Sequence, residues 1–246
     1  MSRKQFGLVG RNISYSFSKN YFTERFQKEE AQECTYENFD IQNIDEFPEI
    51  IKNNPDLIGL NVTIPYKEVV IPFLDELSER ASKMKAVNVI KITKEGFLKG
   101  DNSDYYGFKK SLEPLLQSHH KNAHILGTGG ASKAVAFALE ELGISYTYVS
   151  RKTFENSIQY NQIDAKTFDD FQIVINTTPL GTSPNTHEFP EIPYPYFTSK
   201  HIAFDLIYNP SETQFLKKAK ECGAITKNGM DMLVFQAEKA WEIWNE

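Results

Sequence analysis

The sequence predicts an α/β protein built from two successive units. Three observations carry that expectation. Short β-branched or apolar runs alternate with stretches of helical spacing, the pattern of strands covered by helices. The alternation restarts near Ala123, which sets a seam near residue 100. A glycine-rich turn at 127–130 joins a strand-like run to an Ala-rich helical stretch.

In the first half, residues 5–10 form a short apolar run that ends in Gly. A polar loop follows, then a helix from Ser18 to about Glu30. The Ser18 hydroxyl can cap it by accepting from an unpaired N–H of the first turn. Residues 34–41 alternate as a strand does, 45–53 have helical spacing, and Leu57–Val62 reads as a buried strand. Residues 87–93 are β-branched, and Gly96 turns the chain toward 97–99. From Asp104 to about Gln117 the spacing is helical again.

In the second half, 123–126, Ser145–Val149, Ile173–Asn176 and 202–206 read as strands, and 132–142 as a helix. The stretch 179–195 is proline-rich and irregular. Met230, Leu233, Val234, Ala237, Ala240, Trp241 and Trp244 form one apolar stripe of a final helix.

Composition narrows the function classes. A chain of 246 residues suits one large domain or two modest ones, and 40% hydrophobic with 24% charged residues excludes a disordered chain. The formal net charge of -6 disfavours nucleic acid as a partner, because phosphate binding needs a basic field. Cys34 and Cys222 form no CxxC motif and no disulfide framework, which fits a reducing compartment. No apolar stretch approaches the ~20 residues that span a bilayer, and no signal-peptide core is present, so a cytoplasmic protein without a membrane partner is expected. No metal is expected: His119 and His120 are adjacent, and no spaced His/Cys/Asp cluster occurs.

The turn Gly127-Thr-Gly129-Gly130-Ala131-Ser132 lies between strand and helix, the context of a dinucleotide-binding fingerprint. Glycines there let backbone N–H groups approach a pyrophosphate, and the helix N-terminus adds partial positive charge. A strand that binds the ribose of NAD usually ends in an acid about 20 residues on. Here the strand ends Val149-Ser150-Arg151-Lys152. An acid would repel a 2′-phosphate, whereas Arg151 can bind one through two N–H groups. NADP is expected rather than NAD.

In the first half, Asn61-Val-Thr63-Ile-Pro65-Tyr-Lys67 is the most unusual segment. Strand alternation puts Asn61 and Thr63 on one side, Pro65 stops the strand, and Lys67 follows at the turn. Ala86-Val87-Asn88 and Asn102-Ser103-Asp104 add a second Asn and an acid. Taken in order, these segments resemble the shikimate dehydrogenase family over nearly the whole chain. Ser14 and Ser16 match its two N-terminal serines, Lys67 its lysine motif, Asn88 its Ala-Val-Asn motif and Asp104 its Asn-Thr-Asp motif. The glycine turn, Asn176-Thr177-Thr-Pro179-x-Gly181, Asp205-x-x-Tyr208-x-Pro210 and Gly229-x-x-Met232-Leu-x-x-Gln236-Ala237 complete the series. Departures include Asn12, Tyr15, Lys19, Val89 and Thr182.

The resemblance implies an N-terminal α/β substrate domain (1–103, completed by 229–246) and a Rossmann-like, doubly wound parallel-sheet cofactor domain (104–228), with the C-terminal helix returning to the first. It implies NADPH-dependent, reversible reduction of 3-dehydroshikimate to shikimate, a step toward aromatic amino acids. Lys67 would donate the proton to the alkoxide, with Asp104 beside it favouring the charged ammonium, so that oxidation speeds up at alkaline pH. Ser14, Ser16 and Thr63, helped by Tyr208, would take the carboxylate; Asn61, Asn88, Asp104 and Gln236 would hold ring hydroxyls. Gly127, Gly129, Gly130, Ala131, Ser150, Arg151, Lys152, Thr177, Pro179 and Gly229 would seat NADP. The expected assembly is a monomer or homodimer. The alternatives are a quinate/shikimate dehydrogenase that uses NAD, and a non-catalytic ligand-sensing relative.

Overall fold

The structure is a computed structural model and describes residues 3–13 and 16–246. It divides into two compact units, Met1–Ser103 with Ala237–Glu246, and Asp104–Gln236.

The first unit carries β1 (Lys4–Gly10), α1 (Phe17–Lys28), β2 (Cys34–Asp40), α2 (Phe47–Asn53), β3 (Leu57–Val62), β4 (Glu76–Leu77), α3 (Glu79–Met84), β5 (Val89–Ile92) and β6 (Leu98–Asp101). Its sheet runs β2-β1-β3-β5-β6-β4. β1 pairs parallel with β2 and β3, while β5 is antiparallel to β3 and β6. Period-2 alternation builds two cores from one sheet. Val9, Leu60, Val62 and Ile90 face α2, with Phe47 and Ile50 in the same cluster. Phe6, Leu8 and Val89 face the other way, with Phe22 and Phe26 of α1. The cap of α1 is Ser16 rather than Ser18: its side chain accepts from the Lys19 N–H at 3.1 Å, and its backbone is extended.

The second unit carries α4 (Asp104–Leu112), β7 (Asn122–Leu126), α5 (Gly130–Glu141), β8 (Ser145–Val149), β9 (Ser157–Ile158), α6 (Ala165–Asp170), β10 (Ile173–Asn176), β11 (Ile202–Asp205), α7 (Gln214–Glu221) and β12 (Ile225–Lys227). The sheet order β12-β11-β10-β7-β8-β9 is parallel throughout. The chain first steps outward from β7 through β8 to β9, then returns beside β7 and steps the other way. That reversal is the topological switch point of a doubly wound sheet, the usual place for a ligand crevice. α4 stops at Leu112, earlier than its spacing suggests, because Pro114 cannot supply an N–H to continue it; a single 3-10 turn, Glu113–Leu115, follows. On β7, His124 is 1% exposed and stacks on Phe171 with centroids 4.1 Å apart.

The final helix, α8 (Met230–Asn245), contributes to both units, and the division falls within it at Ala237 rather than at Gly229. Its buried stripe is Met232, Gln236, Ala237, Ala240, Ile243 and Trp244, whereas Met230 is exposed. In the first unit, Trp244 lies where a side chain at Gly59 would stand, 2.6 Å from an ideal Cβ. Its indole Nε1 donates to the Ile90 carbonyl at 3.1 Å. Arg25 of α1 pairs with Glu238 at 2.6 Å and lies over the Trp241 ring. Among the described residues no helix is long and apolar enough to cross a membrane, and no group of three or more His, Cys, Asp or Glu could hold a metal.

Candidate functional site

In the first unit the expected site residues sit where β3, β5 and β6 end. Asn61, the penultimate residue of β3, is buried, and both ends of its amide are engaged. Its Oδ1 accepts from the Tyr36 hydroxyl at 2.8 Å, and its Nδ2 donates to the Asn88 carbonyl at 3.3 Å. Asn88 precedes β5 and is buried as well. Its Oδ1 accepts from the Ser103 N–H at 2.6 Å, and its Nδ2 donates to Ser103 Oγ at 3.1 Å. Asn102 donates to the Ala86 carbonyl at 3.0 Å, and Asp101 accepts from Ser78 Oγ at 2.6 Å and from Arg80 at 3.2 Å. A chain of amides and hydroxyls thus ties β2, β3, β5 and β6 together. Such networks are rigid when every member is satisfied.

Thr63 follows β3, half-buried, and its N–H donates to the Val9 carbonyl at 2.9 Å. Lys67 stands one turn on, half-buried, and its carbonyl accepts from the Val87 N–H at 2.7 Å. That bond joins the lysine segment to the Ala86-Val87-Asn88 segment. Ser16 is buried and spends its oxygen on the α1 cap, and Ser14 lies outside the described residues. Asp104 is the buried first residue of α4 in the second unit.

At the switch point of the second unit, Gly127 has φ +104°, a left-handed conformation that favours glycine. Its N–H donates to the Val149 carbonyl at 3.0 Å. Gly129 caps α5 with open space where a Cβ would point, and Gly130 and Ala131 form the first turn of the helix. Ser132 is buried and donates to the Gly129 carbonyl at 2.7 Å, so this position braces the turn. Thr177, beyond β10, donates through Oγ1 to the Leu126 carbonyl at 2.7 Å, and Pro179 is exposed two residues later. Past β8, a cleft of about 480 Å³ is lined by Thr128, Ser150, Arg151, Lys152 and Phe154. A glycine turn at a helix N-terminus beside two cations suits a phosphorylated ligand.

The strand ends next to this turn are locked by a buried carboxylate. Asp205 accepts from Asn176 Nδ2 at 3.0 Å, from the Ile207 N–H at 3.0 Å and from Thr213 Oγ1 at 2.6 Å. Burial nevertheless raises its pKa to about 6, against those three hydrogen bonds. Gly229 is required by packing, since any Cβ would collide with the Leu206 carbonyl, and its N–H donates to the Ile207 carbonyl at 3.1 Å. Tyr208 is exposed, and Gln236 is buried and donates to the Leu233 carbonyl at 2.9 Å.

A model of the shikimate dehydrogenase substrate binding domain matches residues 8–90. A protein of Methanosphaera stadtmanae named shikimate dehydrogenase (NADP(+)) is 37% identical over 97% of this chain and 90% of its own. One of Pelagibacter ubique with the same name is 36% identical over 99% and 94%. A crystal structure of shikimate dehydrogenase in complex with NADP+ superposes with a TM-score of 0.87 at 31% identity, covering 98% of this chain and 90% of that one. The chain belongs to the shikimate dehydrogenase family.

For a shikimate dehydrogenase family member, several residues in these networks escape motif reading. Tyr36 and Ser103 touch Asn61 and Asn88 directly, yet neither stands out in sequence. Tyr36 reads as one apolar position of β2, and Ser103 as the variable middle of a short motif. The signal that could have found Tyr36 is strand order. Once β1 pairs with both β2 and β3, a polar-tipped residue on β2 can reach a buried amide on β3. Phe154 joins the cation-lined cleft through a turn held by its own N–H on Ser157 Oγ at 2.7 Å.

Proposed function

We propose that this chain catalyses the reversible, NADPH-dependent reduction of 3-dehydroshikimate to shikimate, a step of the shikimate pathway toward aromatic amino acids. The observation that carries the reading is the match, over nearly the whole chain, to relatives named shikimate dehydrogenase (NADP(+)). The first unit binds the substrate and the second the cofactor. The protein acts in the cytoplasm, as a monomer or homodimer.

The second unit fits a phosphorylated dinucleotide. The space at Gly129 lets a pyrophosphate approach the backbone, and the Arg151–Lys152 pair offers cations to a 2′-phosphate. Gly127, Gly130, Ala131, Ser150, Thr177, Pro179 and Gly229 shape the same seat. When bound, the cofactor supplies the hydride. The protein must then stabilise and protonate the alkoxide that forms on the ring. Lys67 donates that proton and takes it back in the reverse direction, and Asp104 keeps the ammonium oriented. Asn61, Asn88 and Gln236 hold ring oxygens; Ser14, Ser16, Thr63 and Tyr208 hold the carboxylate.

The test is steady-state oxidation of shikimate and of quinate with NADP+ and with NAD+. Shikimate with NADP+ is expected to be the preferred pair, and Lys67→Ala to lower turnover by roughly 10²–10⁴-fold. A chain that turns over quinate with NAD+ but not shikimate with NADP+ belongs to the neighbouring activity. Near-normal turnover of Lys67→Ala would remove the lysine from the chemistry.

A further inference from the structure

The two ends of the Asn61 amide are not interchangeable. A backbone carbonyl can only accept, so the Asn88 carbonyl at 3.3 Å dictates that Nδ2 faces it and that Oδ1 faces Tyr36. The Tyr36 hydroxyl must therefore donate, and its 2.8 Å bond engages Oδ1. Tyr36 is held for that task. Its ring stacks on Phe22 with centroids 4.9 Å apart and planes 11° from parallel, and the Trp244 ring lies 6.5 Å away. Burial pushes its pKa upward, a Ser18 side-chain hydrogen bond opposing, so the donor proton stays in place.

With Oδ1 engaged by Tyr36 and one Nδ2 hydrogen engaged by Asn88, the amide has an N–H left to offer a ligand. We propose that Tyr36 is a positioning residue of the substrate site, holding Asn61 so that it presents an N–H rather than a carbonyl. This rests on the reading that Asn61 binds substrate. Carboxylate, ketone and hydroxyl oxygens can all accept such a hydrogen, whereas an amide oxygen would repel the first two. Tyr36 and the Asn88 carbonyl, holding the two ends of the amide, therefore let one side chain bind the substrate in both redox states.

The test is a double-mutant cycle with Tyr36→Phe, Asn61→Ala and the double variant, read as KM and kcat for shikimate and as KM for NADP+. Tyr36→Phe keeps the ring, and tryptophan fluorescence from the neighbouring Trp244 checks that the unit has folded. Leaving the buried Oδ1 without its donor is expected to raise KM for shikimate roughly tenfold. KM for NADP+ stays unchanged, and the double variant matches Asn61→Ala, because the effect of Tyr36 on the substrate runs through Asn61. Losses that add overturn the inference, as does an unchanged KM for shikimate. A Tyr36→Phe chain that fails to fold overturns it too, since the hydroxyl is then a structural requirement. A wild-type chain that does not oxidise shikimate defeats the functional reading itself and this inference with it.

Discussion

Replacing His124 by Phe should change how stability depends on pH. The imidazole is buried on β7, stacked on Phe171, and neither ring nitrogen completes a hydrogen bond of normal geometry. Burial lowers its pKa from 6.5 to about 4, a backbone interaction with Thr147 opposing. An unfolded chain therefore binds this proton more readily. The stability linked to it is fully present above pH 6.5 and is lost as pH falls toward 4. At 1.36 kcal/mol per pH unit this amounts to about 3 kcal/mol. Asp205 works in the opposite sense. Its pKa rises from 3.8 to about 6, so its linked stability is present below pH 4 and is lost as pH rises through 6, again by about 3 kcal/mol. The two contributions largely cancel in the wild-type chain between pH 4 and 6. Urea denaturation followed by far-UV circular dichroism at pH 4 to 7 separates them. Relative to wild type, His124→Phe should gain about 3 kcal/mol as pH falls from 7 to 4, and Asp205→Asn should lose a similar amount. A gap between variant and wild type that stays constant across this range would refute the argument for that residue.

Three further outcomes are expected. Gly59→Ala sets a Cβ 2.6 Å from the Trp244 ring, so it should destabilise the protein by about 1–3 kcal/mol and shift its tryptophan emission. Arg151→Ala should raise KM for NADP+ and leave KM for NAD+ unchanged in steady-state assays, because only the 2′-phosphate needs the guanidinium. Ser103→Ala removes the hydroxyl that accepts from Asn88 Nδ2 at 3.1 Å; KM for shikimate should rise several-fold, roughly the worth of one hydrogen bond, while the circular dichroism spectrum stays native.

Much of the second unit was legible because its central strands β7, β10 and β11 are almost wholly buried and read as continuous apolar runs, while β8 shows its strand character through β-branched and aromatic residues. Ile173–Asn176 and Ser145–Val149 are short runs bounded by polar residues, and the glycine turn marks where β7 yields to α5. The short elements were not legible. β4, β9 and β12 have two or three residues each, and what makes them strands is the neighbour they pair with. Ser16 shows a different limit. Both Ser16 and Ser18 have the chemistry of a cap, and the choice depends on where the chain leaves the preceding loop. Site residues that belong to motifs could be named from sequence, but the partners that orient them could not. Ser103 reaches Asn88 across fifteen positions of chain, and Tyr36 reaches Asn61 across twenty-five.

The seat of Trp244 bears on how the protein is made. Phe6 and Phe22 surround that indole, with ring centroids at 4.9 and 5.2 Å, and Gly59 leaves room for it. Residues synthesised first thus wait for residues synthesised about two hundred positions later before their core can close. The second unit has its own sequence complete earlier, at Gln236. During translation the later-encoded unit is the one free to finish first. Until then, the aromatic face of the earlier one is exposed to whatever else in the cell binds nascent chains.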